Sequence, residues 1–83
     1  MTEKVIQVGR PFEMDLAAQI VQVASRFKSH ISLVTGDKTA NAKSIMGIIS
    51  LALNDDSIVK IIANGEDGQQ AIPELENILL AKR

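Results

Sequence analysis

The sequence predicts one α+β domain in which helices cover one face of an antiparallel sheet. The chain has 83 residues, which leaves room for a single modest core. Its apolar residues alternate along the chain between short β-branched runs and the three- and four-residue spacing of amphipathic helices. The resulting element order is β-α-β-β-α-β-α, with helices about as long as the strands. This order favours a four-stranded antiparallel sheet with three helices on one side.

The first strand and the first helix are predicted close to the N-terminus. A β-branched run over Lys4–Val8, bounded by Gly9, is typical of a strand. Between Asp15 and Phe27 the apolar side chains recur at helical spacing, so one stripe of this helix is expected to face the core. The stripe consists of Leu16, Ala17, Ile20, Val21, Ala24 and Phe27.

A hairpin and a short helix are predicted next. The run Ile31–Thr35 forms a strand, Gly36 and Asp37 form a tight turn, and Lys38–Ala42 returns as a second strand. Ser44 then fits the N-cap of a helix, since its hydroxyl can accept a hydrogen bond from a backbone N–H of the first turn. The apolar positions of this helix are Ile45, Ile48, Ile49 and Ala52.

The last strand and the last helix complete the fold. Ile58–Ala63 is the strongest strand signal in the chain, and period two places Val59, Ile61 and Ala63 on its core side. After the turn at Asn64-Gly65, Asp67 and Gln70 have the spacing of a capping box for a final helix that carries Ala71, Ile72, Leu75, Ile78 and Leu79. Pro73 predicts a kink or a late start in this helix, because proline removes a backbone donor.

Composition excludes several classes of function. The chain has no cysteine and one histidine, so disulfides, thiolate chemistry and a metal site are not expected, and no cofactor is implied. A formal charge of −1 and only two aromatic residues disfavour nucleic acid as a partner. No apolar run approaches the roughly 20 residues that span a bilayer, so no membrane association is expected and a cytoplasmic location is predicted. A protein is the expected partner.

Four stretches of the sequence resemble HPr, the histidine-containing phosphocarrier of the bacterial phosphoenolpyruvate-dependent sugar phosphotransferase system. These stretches are Val21–Phe27, Lys43–Gly47, Ser50–Ala52 and Ala63–Asp67, and the string Lys-Ser-Ile-Met-Gly around Ser44 is the most specific of them. The resemblance covers nearly the whole chain. It implies the open-faced sandwich of that family over residues 1–83.

The loop before the first helix departs from the family. Where the family has glycine, histidine, arginine and proline, an ungapped count places Pro11, Glu13, Asp15 and Leu16. Neutral imidazole is nucleophilic near pH 7, whereas two carboxylates repel an incoming dianionic phosphoryl group. The sequence therefore predicts a degenerate phosphocarrier site at Glu13 and Asp15. An acyl phosphate on either acid remains chemically open, and acids that only favour the helix dipole are the simpler interpretation.

The single histidine does not replace the missing nucleophile. His30 lies beyond the C-terminal end of the first helix, between Ser29 and Ile31, so it is far along the chain from the degenerate loop. A lone histidine in a polar turn is usually just exposed.

Ser44 is the predicted functional residue. In the Gram-positive branch of the family, the corresponding serine is phosphorylated by a kinase that also removes the phosphate, and the phosphorylated protein is a corepressor for a LacI-type regulator in carbon catabolite repression. Crh-like members lack the histidine and keep this serine. The resemblance implies the same regulatory phosphorylation here, while a role as helix cap alone remains the structural alternative.

The residues around Ser44 are predicted to form a partner-binding patch. Lys43, Ile45, Met46 and Ile49 flank the serine, and a short helix on a sheet buries only one stripe. The alternative is that Ile45 and Ile49 are core residues and that Lys43, like Lys38, is only solvated. Asp15 also stands where the family has an arginine that helps to bind the regulator. Because the charge is reversed, the partner of this chain can differ from the usual regulator.

The sequence therefore predicts a non-enzymatic, HPr-like regulatory protein. It is expected to be phosphorylated on Ser44 by an HPr-type serine kinase/phosphorylase and to act on a LacI-type transcriptional regulator or another protein. A diverged phosphocarrier that uses Glu13, or a plain interaction module without phosphate chemistry, are the alternatives.

Overall fold

The computed structural model describes residues 1–80 and shows the predicted element order in that range. The strands and helices are β1 (Thr2–Gln7), α1 (Met14–Ser25), β2 (His30–Thr35), β3 (Lys38–Asn41), α2 (Ile45–Ser50), β4 (Ile58–Asn64) and α3 (Gly68–Leu80). The α+β class, the β-α-β-β-α-β-α order and the arrangement of three helices on a four-stranded sheet are confirmed.

The sheet has the strand order β1-β4-β2-β3, and every pair of neighbours is antiparallel. Leu33 of β2 lies opposite Ile61 of β4 on one side and Ala40 of β3 on the other. All three side chains are buried, so this row crosses the core face of the sheet. β1 and β3 are the outer strands, so β4 and β2 each have a hydrogen-bonded neighbour on both sides.

The core is aliphatic and lies between the sheet and the helices. Val59, Ile61 and Ala63 are buried, whereas Ile58 at the start of the same strand is 56% exposed, which confirms the period-two prediction. From α1 the core receives Leu16, Ala17, Ile20 and Ala24. Val21, Phe12 and Phe27 are only partly buried and pack against the edge of this cluster. The two aromatic residues therefore do not form the centre of the core.

Two helices are shorter than predicted because tight turns end them. The backbone N–H of Arg26 bonds to the carbonyl of Val23 at 3.1 Å, so α1 ends at Ser25 and Phe27 follows its C-cap. The helix α2 ends at Ser50. Ala52 consequently lies outside that helix, with a left-handed φ of 52°.

Of the kink or late start predicted from Pro73, the late start does not occur. The last helix begins at Gly68, directly after Asp67, and runs past Pro73 to Leu80. Pro73 is exposed, while Ala71, Ile72, Leu75 and Leu79 are buried. Burial of that stripe against the sheet outweighs the loss of one helical hydrogen bond at the proline. Within residues 1–80 no helix has the length and apolar character needed to cross a membrane.

Candidate functional site

Ser44 caps the short helix α2, as predicted. Its backbone is extended, with φ of −113° and ψ of 115°, and its Oγ accepts a hydrogen bond from the backbone N–H of Gly47 at 3.2 Å. The carbonyl of Ser44 accepts from the N–H of Ile48 at 3.0 Å, which closes the first turn. Ser44 is half-buried, and the hydrogen bond from Gly47 holds its Oγ at the first turn of the helix.

The backbone before the helix is held by Asn41. The side-chain oxygen of Asn41 accepts from the N–H of Lys43 at 2.9 Å, and its carbonyl accepts from the N–H of Ser44 at 3.0 Å. An asparagine that bonds two residues ahead forms an Asx turn, which fixes the chain locally. Ser44 therefore projects from a rigid turn at the end of β3.

Gly47 keeps the space beside the hydroxyl open. A Cβ at this position would lie 3.3 Å from Ser44 Oγ and 3.4 Å from the Cβ of Ala40. These contacts are tighter than most side chains accept. The glycine of the Lys-Ser-Ile-Met-Gly string thus avoids a close contact between a side chain and the serine hydroxyl.

The predicted patch around Ser44 is only partly accessible. Met46 is 71% exposed and Ile45 is 39% exposed, so both present apolar surface beside the serine. Ile48 is fully buried, and Ile49 is half-buried and packs against the core cluster. Of the apolar residues proposed for partner binding, Met46 and Ile45 have the greater exposure.

Lys43 makes a specific contact with another helix. Its Nζ donates to the carbonyl oxygen of Phe27 at 2.7 Å, just past the C-terminal end of α1. Because α1 has no basic residue in its last turn, the ammonium of Lys43 supplies a cation at the negative end of that helix. The interpretation of Lys43 as a merely solvated lysine is therefore wrong.

The two predicted acids lie at the other end of α1. Glu13 is the N-cap residue, is exposed, and makes no side-chain bond to the helix. Asp15 lies in the first turn and accepts from Nε2 of Gln19 at 3.0 Å. The 12 residues of α1 span about 18 Å, so these acids are far from the ammonium of Lys43. His30 is exposed at the first position of β2, opposite Asn64.

A buried arginine in the loop before α1 was missed by the sequence analysis. Arg10 is only 4% exposed, and its Nη1 lies 3.5 Å from the carbonyl of Ile78. Among residues 1–80, its Nε and Nη2 have no hydrogen-bond partner. The neighbouring N–H of Gly9 donates to the carbonyl of Leu79 at 2.9 Å. Gly9 and Arg10 together thus contact carbonyls near the C-terminal end of α3, where a positive charge is favourable.

Arg10 and Glu13 line the same cleft, which has a volume of about 530 Å³. Asp55 and Asp56 also line it, so the residues around the cleft carry three carboxylates and one guanidinium. Like charges about 4 Å apart repel by roughly 1 kcal/mol in water and by several times more near a protein surface. The net negative charge of this cleft disfavours an incoming phosphoryl group. Within residues 1–80 no group of acids and histidine has the arrangement of a metal site.

Comparison with known proteins shows that the chain is similar to one family. The family profile described as the PTS HPr component phosphorylation site matches residues 4–80. The HPr-like protein Crh of Bacillus subtilis is 49% identical over 59 residues, which cover 71% of this chain and 69% of that protein. The phosphocarrier protein HPr of Haemophilus influenzae is 46% identical over 59 residues, with the same coverage. The crystal structure of HPr-C-His from Thermoanaerobacter tengcongensis superimposes with a TM-score of 0.89 at 38% identity, covering 95% of this chain and 91% of the other.

Proposed function

The chain belongs to the HPr family, and from this membership we propose that it is a regulatory protein that accepts a phosphate on Ser44 and acts through protein partners. The observation that carries the proposal is the environment of Ser44. Its hydroxyl caps α2 on a half-buried residue inside the family string Lys-Ser-Ile-Met-Gly, where it accepts from the N–H of Gly47. The loop before α1 has Glu13 in place of the family histidine.

The proposed modification is a transfer from ATP by an HPr-type serine kinase/phosphorylase. The Oγ of Ser44 forms a bond to the γ-phosphorus as the bond between that phosphorus and the ADP oxygen breaks, and the hydroxyl proton passes to a base of the kinase. The N–H of Gly47, which now donates to Oγ, is close enough to donate to a phosphate oxygen instead. The phosphate adds roughly −1.5 to −2 charges at pH 7.

The phosphorylated surface is proposed to bind a LacI-type transcriptional regulator or another protein in carbon catabolite repression. Met46 and Ile45 supply exposed apolar area beside the new charge, a combination suited to a partner that carries a basic group next to an apolar pocket. Asp15 places a negative charge where the family has arginine, so the matching surface of the partner is expected to differ from that of the usual regulator.

Incubation with an HPr-type serine kinase and ATP tests the proposal. Mass spectrometry of the digested protein is expected to locate one phosphate on Ser44, and Ser44→Ala is expected to abolish it. Ser50→Ala is the matched control, because Ser50 lies on the same helix and its hydroxyl donates to the carbonyl of Gly47 at 2.7 Å. An unmodified Ser44, in an assay where a genuine HPr is phosphorylated, contradicts the proposal.

A second candidate function is that of a diverged phosphocarrier, favoured by the position of Arg10 in the cleft with Glu13. A Glu13 carboxylate oxygen would attack the phosphorus of the phosphoryl group carried by the system's first enzyme, forming an acyl phosphate as the bond between that phosphorus and the enzyme breaks. Labelled phosphoenolpyruvate and that enzyme would then transfer label to the chain, and Glu13→Gln would abolish the transfer while Asp37→Asn would not. If the chain is a regulatory protein and not a phosphocarrier, neither the wild type nor the Glu13→Gln and Asp37→Asn variants are expected to take up this label.

A further inference from the structure

We propose that phosphorylation of Ser44 draws the ammonium of Lys43 away from the end of α1 and thereby loosens the loop between α1 and β2. This inference rests on the proposed function, because it describes how the fold responds to the phosphate on that serine. Lys43 is then the residue that links the phosphate on Ser44 to the loop. The loop from Arg26 to Ser29 is the element that changes.

The contact that would be lost is well defined. Lys43 Nζ lies 2.7 Å from the carbonyl oxygen of Phe27, and Lys43 is half-buried. A cation at a helix C-terminus is favoured by the helix dipole, and α1 has no basic residue of its own in the last turn. Loss of the ammonium therefore removes a stabilising charge and leaves the carbonyl of Phe27 without this donor.

The loop is held by side chains from three different parts of the fold. Besides Lys43, the carboxylate of Asp67 accepts from the backbone N–H groups of Lys28 and Ser29, at 2.8 and 2.9 Å. On the helix side, Arg26 forms an ion pair of 2.6 Å with Glu74 of α3. The amides of Lys28 and Ser29 are thus natural reporters for the state of the loop. A loop restrained by a few long-range contacts responds measurably when one of them is removed.

The geometry allows the ammonium to move while the backbone stays in place. Asn41 fixes the N–H groups of both Lys43 and Ser44. The Cα atoms of these adjacent residues are about 3.8 Å apart, and the lysine side chain is a flexible four-carbon stem. A phosphate on Ser44 is therefore within reach of Nζ after rotation of this one side chain.

The phosphate competes successfully with the carbonyl because of its charge. In the present contact the ammonium is charged and the acceptor is neutral. In the new contact both partners are ionised, since a serine phosphate is mostly dianionic above its second pKa near 6. Hydrogen bonds between two ionised groups are shorter and stronger than those to a neutral acceptor. The ammonium is thus expected to favour the phosphate.

Phosphoserine installed at position 44 during translation tests the inference without any kinase. Hydrogen exchange at the amides of Lys28 and Ser29 is expected to be about two- to fivefold faster than in the unmodified protein, as for loss of one partly exposed hydrogen bond. The unmodified Lys43→Met protein is expected to show the same acceleration. Phosphoserine in the Lys43→Met background should add nothing further.

Lys38→Met is the matched control, because Lys38 is an exposed lysine at the start of β3, the strand that precedes Lys43. It is expected to leave exchange at both amides unchanged. The inference is overturned if phosphoserine leaves the two amides unchanged, or if Lys43→Met does not accelerate them while its thermal unfolding stays cooperative. Failure of the kinase to modify Ser44 would contradict the proposed function and not this inference. Phosphoserine installed during translation does not depend on the kinase.

Discussion

Ser44 has a structural role that can be measured separately from any regulatory one. Because its Oγ accepts from the N–H of Gly47, Ser44→Ala leaves that donor without its side-chain partner and is expected to lower the free energy of unfolding by about 1 kcal/mol. Ser44→Asp keeps an oxygen acceptor at the N-cap and is expected to cost less. Urea denaturation of the three proteins measures both values. A Ser44→Ala variant as stable as the wild type would show that the cap contributes nothing.

Asp67 gives the fold an acid-sensitive contact. Hydrogen bonds from the Ser29 hydroxyl, from the backbone N–H of Lys28 and, more weakly, from that of Ser29 lower the pKa of the Asp67 carboxyl, although desolvation opposes them. A depressed folded pKa means that the contribution is complete above the ordinary aspartate pKa of about 3.9 and is lost as the pH falls through the folded value. Stability is thus expected to fall on the acid side through this residue.

The measurement is the free energy of unfolding between about pH 5 and pH 2 for the wild type and Asp67→Asn. Asp67→Asn is expected to be less stable than the wild type at about pH 5, and its free energy of unfolding is expected to change less with pH. Asp37→Asn, in the exposed hairpin turn, is expected to follow the wild-type curve. Parallel curves for the wild type and Asp67→Asn would contradict the assignment.

The strand β4 offers a matched pair of isoleucines for testing how the sheet faces the core. Ile61 is fully buried in the middle of the strand and Ile58 is 56% exposed at its start. Ile61→Ala is expected to cost about 2 to 5 kcal/mol, since it removes buried methyl groups and leaves a cavity. Ile58→Ala is expected to cost less than about 1 kcal/mol. Similar losses, measured by chemical denaturation, would mean that the strand register is wrong.

The turn before α3 depends on a glycine in a way that the hairpin turn does not. Gly65 has φ of 152°, and a Cβ there would lie 2.8 Å from the Cα of Ser29. Gly36 has φ of 60°, and a Cβ there would meet nothing within 4 Å. Gly65→Ala is expected to cost about 3 kcal/mol or more, and Gly36→Ala about 1 kcal/mol. Thermal unfolding of both variants checks the order, which the reverse ranking would contradict.

The helices and strands show which signals in the sequence are sufficient and which are not. Val59, Ile61 and Ala63 were placed on the core side because period two is local and leaves few alternatives. The start of α3 was predicted less well. Pro73 predicts a kink or a late start, yet the helix begins at Gly68 and continues past the proline with its apolar stripe buried. Local propensity was outweighed by burial that only the folded chain provides.

The fold considered as a unit depends on contacts that no local pattern reveals. The Lys43 ammonium on the carbonyl of Phe27 and the Asp67 carboxylate on the amides of Lys28 and Ser29 each join residues far apart in the chain. Arg10 reaches α3 from the loop after β1. A sequence shows that lysine, aspartate and arginine are present, but their partners are set by the topology. The position of Ser44 at a helix start was predictable, whereas the connection of its neighbour to α1 was not.

The distribution of charge separates the two sites of this molecule. At one end of α1, a cleft with one buried guanidinium and three carboxylates is poorly suited to receive phosphate. At the other end, the ammonium of Lys43 lies on the carbonyl of Phe27. Since α1 is about 18 Å long, more than the Debye length of about 8 Å at physiological salt, the cleft is expected to have little influence on this ammonium.

The central claim is that this chain receives phosphate on a serine and does not hand it on. The most direct test supplies two phosphoryl donors in parallel: ATP with an HPr-type serine kinase, and phosphoenolpyruvate with the first enzyme of the phosphotransferase system. The account predicts label on Ser44 from ATP and no label from phosphoenolpyruvate, while a genuine HPr accepts from both. Label that enters from phosphoenolpyruvate, or a Ser44 that stays unmodified by the kinase, would contradict it.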